Sequence, residues 1–236
     1  MSILYLIRHG QASFGKDNYD ELSSLGTRQA RILGENLIAA GQKFDAVYCG
    51  KMTRQLQTAT KVINCFLEND VPFPTPILLN AFNEYDAFSI WDQRVGRMIA
   101  RKPELKDTID QARTDHRLFQ KIFEQVMTQW AKGLHDEAGD DTWQGFIEKV
   151  QSGLEMILRD HSGGQHVAVF TSGGPIGVVV KQALELSRAK AMEISWQVMN
   201  ASVTRLFFSK RGLFLAGFND ISHLAQKNDS TLMTYR

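Results

Sequence analysis

The sequence predicts an α/β three-layer sandwich, a mainly parallel sheet flanked by helices and interrupted by a helical insertion. Three observations lead there. Short apolar runs alternate with segments of helical periodicity. Polar or glycine-rich signals stand directly after the runs, at the carboxyl ends of strands, where such sheets gather ligands. Between Tyr85 and Asp160 the alternation gives way to helical spacing alone.

ILYLI (3–7) is a short apolar run ending at a polar RHG, and it predicts a buried strand. LSSLGTRQARILGENLIAAG follows, with Ala30, Leu33 and Leu37 on one helical face, serines to cap its start and Gly41 to end it. FDAVYCG (44–50) predicts a second strand and TRQLQTATKVINCFLEND (53–70) a second helix. VPFPTP is a proline-rich linker, and ILLNAF (77–82) reads as a third strand leading into NEYD. Phe119, Ile122, Phe123, Val126 and Trp130 recur at helical spacing, as do Phe146, Val150, Leu154 and Ile157. This aromatic stripe reads as core packing and its mixed charges as a solvated face; a lid over the strand ends is one use for it. HVAVFT (166–171) is a strand, PIGVVVKQALEL (175–186) a helix, and VTRLFFS-KRG-LFLAGFND (203–220) a hairpin with Gly212 in its turn. The expected organisation is one domain over 1–236, with the insertion at about 86–140.

Composition narrows the function classes. Lys+Arg at 27 against Asp+Glu at 26 leaves a formal charge of +1, no field for nucleic acid or an anionic membrane. Any anion must be bound by local placement of charge. The hydrophobic fraction of 43% and charged fraction of 22% are those of a soluble globular protein. MSILYLIRHG lacks the leading charge and cleavage site of a signal peptide, and no stretch reaches transmembrane length, so the expected location is cytoplasmic. Cys49 and Cys65 show no metal-ligand spacing and read as unlinked thiols.

Four strand ends carry chemistry. Arg8-His9-Gly10 follows the first, and Arg54 opens the helix after the second. Glu84 follows the third, and Ser172-Gly173-Gly174 leads from the fourth into a helix. Backbone N–H groups at a helix start and guanidinium groups both donate to anions. The set suits phosphoryl transfer through a nucleophilic imidazole.

At these residues the chain resembles the histidine phosphatase superfamily, the phosphoglycerate mutase-like fold. The resemblance rests on LIRHGQ, LSSLGTRQA (22–30), RQLQTA (54–59), Glu84, the SGGPI turn and NASVTRL (200–206). It implies that His9 takes the phosphoryl group as phosphohistidine. Arg8 and Arg54 would grip the phosphate oxygens. Glu84 would give a proton to the leaving oxygen and then serve as base for water, a part suited to a raised pKa. Gln11 and Ser13 are further candidates for lining the phosphate pocket. No metal or other cofactor is implied, and His223 is expected to play a structural role. His116, His135, His161 and His166 have no supporting constellation.

Three departures accompany the resemblance. Ser172 stands where the family's His-Gly-Gly has its histidine, Gly15 where mutase-like members often carry Asn, and Gly50-Lys51 where Ser-Pro is usual. A serine bonds a phosphate oxygen without bringing charge. Losing one charge-assisted hydrogen bond costs about 1.5–3 kcal/mol, a roughly tenfold to hundredfold loss of rate. The N–H groups of Gly173 and its neighbour offset part of that loss.

The leading expectation is a phosphomonoester hydrolase acting on a small phosphorylated substrate. The alternative is a weak or inactive family member that binds a phosphorylated ligand or partner. A glycolytic mutase fits less well, since a mutase must hold its phosphorylated state tightly. A serine hydrolase at Ser172 lacks the first glycine of G-x-S-x-G, Phe170 being there. Arg94, Arg97 and Arg101 are either a solvated face or a reach toward an acidic substrate, with the solvated face preferred. The apolar late hairpin suits an interior sheet position or a homodimer edge.

Overall fold

A computed structural model describes residues 1–13, 20–112 and 114–235. Gly15 lies outside the described residues. Among those described, the chain divides into two compact units, Met1–Glu84 with Lys149–Arg236, and Tyr85–Glu148.

The first unit is built on a six-stranded sheet in the order β3-β2-β4-β1-β5-β6. Its strands are β1 (Ser2–Arg8), β2 (Ala46–Cys49), β3 (Ile77–Leu78), β4 (His166–Thr171), β5 (Val203–Ser209) and β6 (Gly212–Asp220). β1 is central. It runs parallel to β4, from Ile3 opposite His166 to Arg8 opposite Thr171, and antiparallel to β5. β4 and β2, and β2 and β3, are also parallel, while β5 and β6 form the antiparallel hairpin. Gly212 sits in that turn at φ +127°, a conformation side chains rarely adopt.

Helices cover the sheet. α1 (Ser24–Ala39) and α2 (Thr53–Glu68) lay Leu33, Leu37, Ala59, Val62 and Phe66 over Tyr5, Ile7, Val47 and Phe170. Because strand side chains alternate in direction, Leu4 and Leu6 are buried on the other side. α1 starts as the serines predict: Ser23 Oγ accepts the Gly26 N–H at 3.0 Å.

The third strand is shorter than 77–82. Only Ile77 and Leu78 pair, both exposed, and Asn80–Phe82 winds into a 3-10 turn that buries Phe82. Burying that ring takes precedence over extending an edge strand.

The second unit holds α3 (Ala87–Arg101), α4 (Lys106–Ala112), α5 (His116–Ala131) and the start of α6 (Trp143–Asp160). Its aromatic stripe is core: Tyr85 packs edge-on or tilted against Trp130, Trp143 and Phe146. Arg94 and Arg97 differ from the solvated face expected of them, while Arg101 is exposed as that reading has it. Arg94 is buried and ion-paired with Asp136, and Arg97 forms a two-pronged bond to Asp140 at 2.5 and 2.7 Å. Arg101 reaches Glu137.

In the first unit, β4 leads into α7 (Gly173–Leu184), then α8 (Arg188–Gln197), which packs on α7. α9 (Ser222–Ala225) follows β6. Cys49 and Cys65 are free buried thiols, and burial pushes Cys49 up to about 12. Among the described residues, no helix is long and apolar enough to cross a membrane.

Candidate active site

β1 delivers Arg8 and His9 to the carboxyl edge at the middle of the sheet. The His9 N–H donates to Thr171 O at 2.9 Å, and Arg8 N to Ser202 O at 3.1 Å. His9 O accepts from Ala201 N and, at 3.3 Å, from Asn200 Nδ2. The His9 backbone is thus gripped from β4 on one side and the approach to β5 on the other.

The loop after His9 is held by close packing. A Cβ on Gly10 would overlap the Gly26 carbonyl, and one on Gly26 would overlap Gln11 O. These two glycines let the loop lie directly on the first turn of α1. Gly10 N donates to Thr58 Oγ1 at 3.0 Å, and Leu22 N to Gln57 Oε1 at 2.7 Å. The Gln-Thr of RQLQTA therefore acts as a bracket for the loop after His9. Gln11 N donates to Gln29 Oε1, and the Gln11 side chain accepts from Ser23 Oγ. Ser13 is buried at the end of this stretch, its N–H donating to Glu21 O.

His9 itself is 5% exposed. Its Nδ1 lies 2.7 Å from Gly10 O, so Nδ1 carries the hydrogen and donates it. Nε2 then keeps its lone pair, which accepts from Arg54 Nε at 3.1 Å. Burial first, then the Arg54 and Arg8 guanidinium groups, push the imidazole well below its usual value. The ring is neutral, with its free nitrogen beside a cation. That is the form a nitrogen nucleophile needs.

Arg54, on the first turn of α2, is nearly buried and held at its far end by Asp20 at 2.5 Å. The other Asp20 oxygen accepts the Thr53 N–H at 2.7 Å, at the N-terminus of α2. Arg8 donates to the Val198 carbonyl. Sequence reasoning missed Asp20, whose partners lie more than thirty residues away.

Glu84 and the glycines form the opposite corner. Glu84 Oε2 accepts the Gly174 N–H at 3.0 Å, placing its carboxylate on the N-terminus of α7. Gly173 admits no side chain, since a Cβ there would lie 2.6 Å from Ser195 O. Ser172 is fully buried, and its hydroxyl accepts from Gln55 Nε2 at 2.8 Å. The structure therefore brings Arg8, His9 and Arg54 to one corner and Glu84, Ser172 and Gly173 to another, on adjacent strand ends.

Three other histidines have structural partners. His161 bonds Tyr48 and His166 bonds Gln42. His223 is buried, faces Asp220 and bonds the Ala201 backbone; burial pushes it down to about 4. No group of three or more His, Cys, Asp or Glu among the described residues is placed to hold a metal ion.

Two arginines, a neutral histidine and an acid gathered beyond the carboxyl ends of neighbouring strands form an arrangement suited to phosphoryl transfer. The sequence model of the histidine phosphatase superfamily (branch 1) matches residues 4–118 and 109–221, and the chain belongs to that family. Among curated relatives, the 2,3-bisphosphoglycerate-dependent phosphoglycerate mutase of Bartonella quintana (strain Toulouse) is 35% identical over 89 residues. That match spans 35% of this chain and 42% of the relative. A phosphoserine phosphatase variant of Entamoeba histolytica, solved with phosphoserine, superposes with a TM-score of 0.61 at 19% identity, covering 95% of this chain and 100% of the other. A phosphoglycerate mutase of Bacillus anthracis gives 0.61 at 19% identity, covering 97% of each chain. A mycobacterial glucosyl-3-phosphoglycerate phosphatase gives 0.60 at 16% identity, covering 93% and 99%. These neighbours show the phosphoglycerate mutase-like fold, and the family match supports a phosphatase-type function.

Proposed function

We propose that the protein is a phosphomonoester hydrolase working through a phosphohistidine on His9. The observation that carries this reading is the imidazole: Nδ1–H bound to Gly10 O, which leaves the lone pair on Nε2, facing the Arg54 guanidinium. In the first step Nε2 attacks phosphorus, the bond to the leaving oxygen breaks, and Glu84 gives that oxygen its proton. In the second, water attacks phosphorus and gives a proton to the Glu84 carboxylate, and the P–N bond breaks with its electrons returning to Nε2. Arg8 and Arg54 neutralise the oxygens in both steps. Gln11, Ser13, Ser172 and Gly173 complete the phosphate side of the pocket, and no cofactor takes part.

The same reading covers residues 1–236 as one domain with its insertion at about 86–140. It has the protein acting in the cytoplasm on a small phosphorylated substrate, without nucleic acid or membrane, and with the late hairpin as a candidate homodimer edge. The test is hydrolysis of an aryl phosphate over pH 5–8, with rapid acid-free quenching and mass spectrometry for phosphate on His9. Turnover and a labelled His9 are expected. Turnover that survives His9→Ala sinks the mechanism.

A second reading has one specific observation behind it. Ser172 is buried and already bonded to Gln55, so that corner brings the phosphate no cation. A protein that binds inorganic phosphate by calorimetry and hydrolyses nothing would be a phospho-ligand binder.

A further inference from the structure

Gln55 follows Arg54 on the first turn of α2 and is fully buried. A buried amide must find partners for both its donors and its acceptor. Its Nε2 donates to Phe82 O at 2.9 Å and to Ser172 Oγ at 2.8 Å. Its Oε1 accepts the Met52 N–H at 3.3 Å, as a third-position glutamine does at a helix start.

Two of these partners lead straight to the acid corner. Phe82 stands two residues before Glu84, and its carbonyl also accepts from Thr171 Oγ1 at 2.8 Å. Ser172 directly precedes the glycine turn whose Gly174 N–H holds Glu84 Oε2. Gln55, the Glu84 segment and the start of α7 thus close into one ring of hydrogen bonds. Gln55's own neighbour, Arg54, holds His9.

The amide has room because of two small residues. A Cβ on Gly50 would overlap Gln55 Oε1 and come within 2.7 Å of Phe82 O. At 172 the ring takes a hydroxyl, with no exposure left over for a larger group. Gly50 and Ser172 looked like separate departures in the sequence. In space they are the two walls of the slot that Gln55 fills.

We infer that Gln55 is a positioning residue for the acid, and that Gly50, Gln55 and Ser172 form one matched unit in which a change at one position demands a change at another. The inference rests on the hydrolase reading for Glu84's role, but the matched unit is testable without it. An imidazole at 172 has no space while Gln55 is present, so restoring histidine there needs Gln55 cut back as well.

The experiment combines melting temperatures with the kcat pH profile on an aryl phosphate. The proteins are the parent, Gln55→Met, Ser172→Ala, their double variant, Ser172→His, and Gln55→Ala/Ser172→His. Gln55→Met keeps the packing and loses the bonds. It is expected to lower kcat about tenfold with KM within about twofold, and to displace the pH limb governed by Glu84. A bystander in the core would change the melting temperature and leave that limb in place, and that result overturns the positioning role. In the melting cycle, Ser172→Ala is expected to cost clearly less once Gln55 is Met, and Ser172→His to melt below Gln55→Ala/Ser172→His. Additive changes, or a stable Ser172→His single variant, overturn the matched unit. If the parent turns over no phosphate ester, the hydrolase reading fails and Gln55's role toward Glu84 fails with it; the melting cycle still decides the matched unit.

Discussion

At the His9 corner, two guanidinium groups press on a buried neutral imidazole, and Asp20 anchors one of them from behind. At the Ser172 corner the donors are an amide, a hydroxyl and backbone N–H groups, and the ionisable side chain on them is the Glu84 carboxylate. Positive charge is therefore concentrated on the His9 side. In a buried site this asymmetry matters, because a charge felt across low dielectric is worth several times one felt through water. An arrangement with cations on one flank and oriented dipoles on the other can still cradle phosphate, but it relies heavily on Arg54.

The comparison can be broken hardest at His9. His9→Ala should abolish aryl phosphate turnover, a loss on the order of 10⁴-fold or more, measured as kcat. Next comes Arg54→Ala, expected to lower kcat/KM about 10²- to 10³-fold. It should also raise the His9 pKa, read by NMR titration of the ring, because a nearby cation is removed.

A pH scan of stability sharpens the contrast between a working and a structural histidine. His223 is pushed down to about 4 in the folded protein, against an ordinary value near 6.5 when unfolded. The folded state therefore binds fewer protons, and stability falls as pH drops from about 6.5 toward 4, by about 3 kcal/mol in all. His223→Phe should flatten that part of the urea-denaturation profile. His9, lowered in the same direction, should leave a residual slope that His9→Ala removes. The smallest effect belongs to Asp20→Asn. It leaves Arg54 in place without its counter-charge, and should cost about 1 kcal/mol of stability, with a change in KM larger than the change in kcat.

Much of this was legible in the chain. The apolar runs gave β1, β2, β4 and the hairpin because buried strands need little else, and Ser23 and Gly41 marked the ends of α1. α8 went unread: Ala191, Met192 and Ser195 are its buried residues, and one large apolar side chain beside an alanine and a serine draws no stripe. Only Ser187, which caps it, offered a signal. The catalytic candidates could be named because each falls in a short motif beyond a strand, although the third strand ends at Leu78, well before Glu84. Asp20, Gln55 and Asn200 could not, since their importance lies in partners distant in sequence. Arg94 was misjudged for a related reason. Its counter-ion Asp136 is 42 residues on, and nothing local distinguishes a paired arginine from a solvated one.

The central place of β1 has a consequence for how the protein is made. Its two sheet neighbours begin at His166 and Val203, so the first strand synthesised waits for partners well over a hundred residues downstream. At a translation rate of about 5–20 residues per second, that delay is on the order of ten to forty seconds. For that interval the apolar strand that leads into His9 travels unpaired on the ribosome, a natural client for nascent-chain chaperones.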